Sequence, residues 1–216
     1  MVIALDGPAG VGKSTIARRI AGRTGFKYLI SGDLYRAVTY GVQKIGVDPS
    51  DTESVVERAR EFSISIRDDR VFLDGIDIQD HLHTDAVDRW VAQVSAIVPI
   101  REIVNALLRK IAKNNDVVVE GRDITTVVFP DAERKFYLDA SVETRAKRRF
   151  NQGVSSLSLE EHIKAIRRRD EIDMNKPVGS LKLADDAVYL DTSDLTIDEV
   201  CEKVIHAIPR KETKNA

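Results

Sequence analysis

The chain has 216 residues, 43% of them hydrophobic and 31% charged, with a formal net charge of −2. This length accommodates one globular domain with at most a small insertion. The charge leaves no global attraction to nucleic acid or membrane, so phosphate binding has to come from local basic clusters. A single cysteine, Cys201, excludes an intrachain disulfide and fits a reducing compartment, and no apolar run reaches the ~18 residues that a membrane-spanning helix needs.

Residues 2–5 form a short apolar run bounded by Asp6 and glycines, the pattern of a buried parallel strand. The first motif starts at Gly7, which leaves no room for a signal or transit peptide and gives the expectation of a cytoplasmic protein. Ile16, Ala17, Ile20 and Ala21 recur at helical spacing over residues 13–24, and Gly25 closes that helix. A second strand is predicted over 26–30 and a second helix over 33–45. Residues 62–66 then alternate apolar and polar, as does the start of 71–73, with Arg67-Asp68-Asp69-Arg70 as the turn of an antiparallel hairpin. A hairpin inside strand–helix alternation marks an insertion, at about 37–98. Alternation resumes with a helix over 101–112, strands at 117–119 and 135–138, and helices over 142–151 and 159–172. A last strand at 187–190, a helix over 197–208 and a polar tail at 211–216 complete the chain. Such alternation implies an α/β fold with a mainly parallel sheet covered on both faces, and ligands collecting at the carboxyl ends of the strands.

Gly7-Pro8-Ala9-Gly10-Val11-Gly12-Lys13-Ser14-Thr15 matches G-x-x-x-x-G-K-[ST] between a predicted strand and a predicted helix, the context a phosphate-binding loop requires. Glycines let its N–H groups turn inward, and the helix that follows adds its positive end. Lys13 is expected to reach the β- and γ-phosphates of a nucleoside triphosphate, and the Ser14 hydroxyl to ligate Mg²⁺. Asp6 is expected to order this loop, and Glu120 to help hold the metal through water.

A GTPase switch is disfavoured: there is no D-x-x-G, and Asn175-Lys176 continues into Pro177-Val178 rather than to an aspartate. Arg36 follows the second strand and Arg122 the strand at 117–119, so both are expected at the sheet edge that carries the phosphate loop. Guanidinium forks there suit an acceptor phosphate. A third basic group comprises Arg145, Lys147, Arg148, Arg149, Arg167, Arg168 and Arg169. It reads either as two solvated helix faces or as a lid whose arginines fold over phosphates. The motifs by themselves leave the acceptor open, whether a nucleoside monophosphate or a small metabolite such as shikimate.

These residues resemble the bacterial cytidylate kinases of the nucleoside monophosphate (NMP) kinase group. The shared pieces are the phosphate loop, S-G-x-x-Y-R at residues 31–36, G-R-D-x-x-T-V-V-F-P-D-A at 121–132 and R-D-x-x-D-x-x-K at 169–176. The resemblance implies a P-loop NTPase-type parallel β-sheet with helices on both faces, an inserted NMP-binding subdomain containing a small antiparallel sheet, and a helical lid. The corresponding segments are a core at about 1–36, 99–145 and 184–208, the insertion at about 37–98 and the lid at about 146–183.

The implied activity is transfer of the γ-phosphoryl group of ATP, with Mg²⁺, to CMP or dCMP, by a monomer whose partners are small molecules and neither nucleic acid nor membrane. Lys13, Arg122, Arg145, Arg149 and Lys176 match catalytic positions. Ser31, Arg36, Arg122 and Lys176 match positions that hold the acceptor phosphate, Arg101 and Asp123 positions that read the cytosine edge, and Arg169 and Asp173 positions at the sugar. Four residues depart from the family pattern: Ile30 stands in place of an aspartate, Ala92 of a serine, Thr125 of a glycine and Lys176 of an arginine.

Overall fold

The computed structural model of the protein describes residues 1–153 and 157–208, so the expected tail at 211–216 and three residues of the expected lid lie outside it. In chain order the elements begin with β1 (Val2–Asp6), α1 (Lys13–Thr24), β2 (Lys27–Ile30), α2 (Ser31–Lys44) and α3 (Thr52–Glu61). There follow β3 (Ile64–Arg67), β4 (Arg70–Leu73), β5 (Ile76–Asp77), α4 (Asp85–Val94) and α5 (Val98–Ala112). The rest comprises β6 (Val117–Gly121), a π-helical turn at Ile124–Val128, β7 (Arg134–Asp139), α6 (Val142–Asn151), α7 (Leu159–Asn175), β8 (Val188–Asp191) and α8 (Ile197–His206).

The main sheet runs β2-β6-β1-β7-β8, every neighbouring pair parallel. The middles of its strands are apolar because successive side chains enter two different cores, with charged residues confined to the strand ends. Ala4, Leu29, Val117 and Val119 pack with Leu34, Val38, Val94, Ile100 and Val104 on one face. Ile3, Leu5, Val118, Phe136 and Leu138 pack on the other against Ile16 and Ile20 of α1 and Val200, Cys201 and Val204 of α8. Each fully buried aliphatic side chain stabilises the fold by about 1.5–3 kcal/mol. Among the described residues no single helix is long and apolar enough to cross a membrane.

The expected hairpin is β3 and β4, joined through Asp68 and Asp69 at φ 49° and 57°, the doubly positive pair of a tight two-residue turn. The structure adds β5 as a third antiparallel strand, with α3 and α4 on either side of the small sheet in sequence. Val71, Leu73, Ile78 and Leu82 seat this unit on Ala37 of α2. Two helices start earlier than their sequence pattern predicts. Helix α2 begins at Ser31 with Ile30 as its N-cap, and α5 begins at Val98, where Pro99 fits a first turn whose N–H groups need no partner within the helix.

Candidate active site

β1 hands the chain to the phosphate loop at a place where only glycine fits. Gly7 has φ 152°, and a Cβ there would stand 2.1 Å from the Leu138 carbonyl oxygen of β7. The N-cap of α1 is Gly12, so no side chain covers that helix's first N–H groups. Lys13 is 5% exposed, and its ammonium donates to the Gly7 and Pro8 carbonyls, both at 2.8 Å. Burial, and after it the positive charge of Arg122, lower its pKa to about 7. The Ser14 hydroxyl donates to Glu120 Oε1 at 2.8 Å.

Two arginines of α6 grip the loop's outer rim. Arg145 donates to the Ala9 carbonyl at 2.9 Å and pairs with Asp170 at 2.7 Å, while Arg148 donates to the Val11 carbonyl at 3.2 Å. Arg149 is exposed on the same helix with no side-chain partner among the described residues.

Asp6 does something other than order this loop. Its carboxylate accepts from the Ile124 and Thr125 N–H groups at 3.0 and 2.7 Å and from the Thr125 hydroxyl at 2.6 Å. It therefore ties the end of β1 to the turn after Arg122 and Asp123, and the threonine that departs from the family pattern supplies two of the three bonds, one of them from its side chain. Burial still pushes this carboxyl up to about 6, outweighing the three donors.

Across the sheet edge, the Ser31 hydroxyl donates to the Glu120 carbonyl at 3.0 Å. Arg122 donates through Nε to Asp173 at 2.8 Å, and Asp173 is also paired with Arg169 at 3.2 Å and Lys176 at 2.8 Å. This carboxylate is 0% exposed, and its three cations hold it well below the usual carboxylate range against the opposing effect of burial. Arg101 and Asp123 form a second buried pair, under the ring of Tyr35, and Arg101 also donates to the Ser95 carbonyl at 3.0 Å. The Ser95 hydroxyl turns to the Ala92 carbonyl at 2.9 Å. Arg36 is the outlier of the expected set: its guanidinium binds the Leu82 carbonyl at 3.0 Å and Asp88, both from the inserted unit. Glu120 thus joins Ser14 to Ser31, Asp173 joins Arg122, Arg169 and Lys176, and Lys13 feels the charges of Arg122, Glu120 and Asp173, whereas Arg36 is held by Leu82 and Asp88.

The sequence marks Arg148 and Asp170 only as parts of a basic group and a motif, without their partners, and carries no signal for Tyr28 or Gly179. Asp170 and Arg148 act on the phosphate loop from more than a hundred residues away, and Tyr28 is buried close enough for Glu120 to help raise its phenol. Gly179 lies on the Arg101–Asp123 pair at φ 66°, where a Cβ would fall 2.1 Å from Arg101 Nη2 and 2.6 Å from Asp123 Oδ2. Because that arginine is buried, it has little room to yield. Gly179→Ala is expected to destabilise the fold by about 1–3 kcal/mol, read as a thermal midpoint lower by roughly 3–10 °C. An unchanged midpoint would mean that the segment lifts off the pair without cost.

The donor set fits a hard cation. A hydroxyl at Ser14 and a carboxylate at Glu120 offer the oxygen ligands Mg²⁺ prefers, on the side of the loop where triphosphate oxygens would complete its shell. Among the described residues no three His, Cys, Asp or Glu side chains form a metal cage of their own.

The comparisons agree with this architecture. The cytidylate kinase family model matches residues 3–210. A cytidylate kinase of Caldanaerobacter subterraneus subsp. tengcongensis is 44% identical, the alignment covering 98% of this chain and 96% of that protein. One from Borrelia duttonii is 42% identical over 98% of this chain and 100% of its own length. The crystal structure of an uncharacterized protein from Eubacterium ventriosum shares the fold, with a TM-score of 0.54 at 12% identity, covering 95% of this chain and 96% of that one. With near-complete coverage on both sides, this chain belongs to the cytidylate kinase family.

Proposed function

We propose that the protein transfers the γ-phosphoryl group of ATP to CMP or dCMP, giving ADP and CDP or dCDP. The observation that carries this reading is the position of Arg122. Its charge acts on Lys13 in the phosphate loop, while its Nε binds the Asp173 cluster that contains Arg169 and Lys176. One guanidinium therefore joins a donor-phosphate site to a second cationic site, the arrangement that two anionic reactants laid end to end require.

The attacking oxygen belongs to the acceptor's own phosphate, which is largely ionised at neutral pH, so no general base is needed. That oxygen bonds to the γ-phosphorus as the bond to the β-bridging oxygen breaks, and ADP leaves with the electron pair. Lys13 and Arg122 stabilise the charge that builds on the transferred group. Ser31, Arg36 and Lys176 hold the acceptor phosphate, Arg101 and Asp123 face the base, and Arg169 and Asp173 the sugar. Ser14 and Glu120 would hold Mg²⁺, which would supply charge neutralisation on the triphosphate. The segment at about 37–98 serves as the acceptor-binding unit. The segment at about 146–183 serves as the lid; its Arg148 grips the loop, next to Arg145 at the end of the adjoining core segment. The enzyme works as a cytoplasmic monomer, a setting in which the buried single thiol of Cys201 stays reduced.

The test is ADP release by purified protein with MgATP and, in turn, CMP, dCMP, UMP, AMP and shikimate. Turnover with CMP and dCMP at least about tenfold above the others in kcat/KM is expected, a selectivity equivalent to about 1.4 kcal/mol. Preference for AMP or shikimate would refute the assignment. Since position 92 is alanine and the Ser95 hydroxyl is turned to the helix backbone, UMP is the expected runner-up.

A further inference from the structure

The guanidinium of Arg36 is held at one end only. Its Nη1 donates both to the Leu82 carbonyl, at 3.0 Å, and to Oδ1 of Asp88 on α4. Its Nε and Nη2 have no partner among the described residues. A guanidinium nitrogen of this kind carries two hydrogens, so both on Nη1 are used. What stays open is the Nε–Nη2 edge, a fork that matches two oxygens of a phosphate.

The clamp joins separate parts of the fold. Arg36 lies on α2, whose first turn follows β2 of the main sheet, whereas Leu82 and Asp88 belong to the inserted unit. The Arg36 side chain is 20% exposed and that of Asp88 50% exposed. An ion pair this open to water contributes little to stability, which gives Asp88 no strong reason to be there for the fold alone. Orientation is a different matter. An arginine on a helix has four rotatable side-chain bonds, and freezing them at the moment of binding weakens the complex. A guanidinium already fixed at Nη1 has spent that entropy before the ligand arrives.

We infer that Asp88 is a positioning residue for the acceptor: together with the Leu82 carbonyl it fixes Nη1 of Arg36 so that the Nε–Nη2 fork is presented to the acceptor phosphate. This rests on the proposed role of Arg36 at that phosphate. The half-exposed Asp88 carboxylate is screened by solvent, so its repulsion of the incoming anion is smaller than the gain from a fixed fork.

The experiment is steady-state kinetics at saturating MgATP with CMP varied, on wild type, Asp88→Ala, Asp88→Asn, Arg36→Ala and the Arg36→Ala/Asp88→Ala double variant, with thermal melts of each. Asp88→Ala is expected to raise KM for CMP about three- to tenfold with kcat within about twofold, the range that ordering one long side chain accounts for. Its melting midpoint should stay within about 3 °C of wild type. Asp88→Asn keeps an oxygen acceptor at the same place and should recover part of the loss. The double variant should match Arg36→Ala alone, because Asp88 has nothing left to position. An unchanged or lower KM in Asp88→Ala overturns the inference, as does a loss in the double variant that adds to that of Arg36→Ala. If Arg36→Ala itself leaves KM unaltered, the phosphate role of Arg36 falls and the inference with it. No turnover of CMP by wild type would instead refute the functional reading.

Discussion

Lys13→Met lowers kcat by about 10²- to 10³-fold while leaving the fold intact, the loss expected when one preorganised charge is removed from a developing phosphoryl transition state. The free protein already shows how poised this ammonium is. It is buried, bonded to two loop carbonyls, and brought down to about 7 by burial and by the charge of Arg122. Below that pH the group is cationic and ready for phosphate; above it a growing fraction is neutral amine. Since kcat/KM reports the free enzyme, kcat/KM for ATP should fall as pH rises past about 7. Bound phosphates pull the pKa back up, so kcat should not share this alkaline decline. The same shift governs stability. The unfolded chain holds this proton up to about 10.4, so burying the cation costs most at low pH, and the cost is relieved as pH rises from about 7. Lys13→Met should therefore melt above wild type at pH 6, with the gap closing toward pH 10. Turnover within a few-fold of wild type would remove Lys13 from the mechanism.

What the sequence discloses is what lies in consecutive residues. The phosphate loop sits in nine adjacent positions, and Ser31 and Arg122 follow strands whose ends are fixed by apolar runs, so topology alone carries them to the same rim. The antiparallel hairpin declares itself by period-two alternation. The two helices beside it do not. In α3 only Val55 and Ala59 are buried along a charged segment, and α4 buries Val87, Val91 and Val94, β-branched residues with little helical preference of their own. Sheet order is equally hidden, because β6 inserts between β1 and β2 only after the insertion and α5 have passed. The site's supporting bonds are the least legible part. Asp6 reaches Thr125, Arg145 reaches Ala9 and Arg101 meets Gly179, contacts set by packing of distant segments rather than by any local pattern. Local reading gave Asp6 to the adjacent loop because that loop is its neighbour in sequence; in space its partner is the turn after Asp123.

Asp173→Asn should cost both stability and catalysis, because one buried carboxylate organises three cations that otherwise repel one another. Arg122 comes from the end of β6, Arg169 from the preceding turn of α7 and Lys176 from just beyond that helix. Breaking a buried ion pair by removing one partner destabilises by about 3–5 kcal/mol. Arg122 and Arg169 are 26% and 38% exposed, so water recovers part of this and about 2–4 kcal/mol is the fitting range. For a chain of this size that lowers the melting midpoint by roughly 5–12 °C. Catalysis loses more, since Arg122 and Lys176 drift from their places together, and misplacement on the order of 1 Å is worth about 10²-fold in kcat/KM.

The pH dependence separates charge from shape. Asp173 titrates below the usual carboxylate range in the fold, so its contribution is complete above about pH 4–5 and disappears as pH falls through the folded-state value. The stability gap between wild type and Asp173→Asn, measured by urea unfolding, should be constant from pH 8 to about pH 5 and shrink below about pH 4. A gap that stays the same into strong acid would show that the carboxylate's shape rather than its charge holds the cluster, and that the three cations do not need it to assemble.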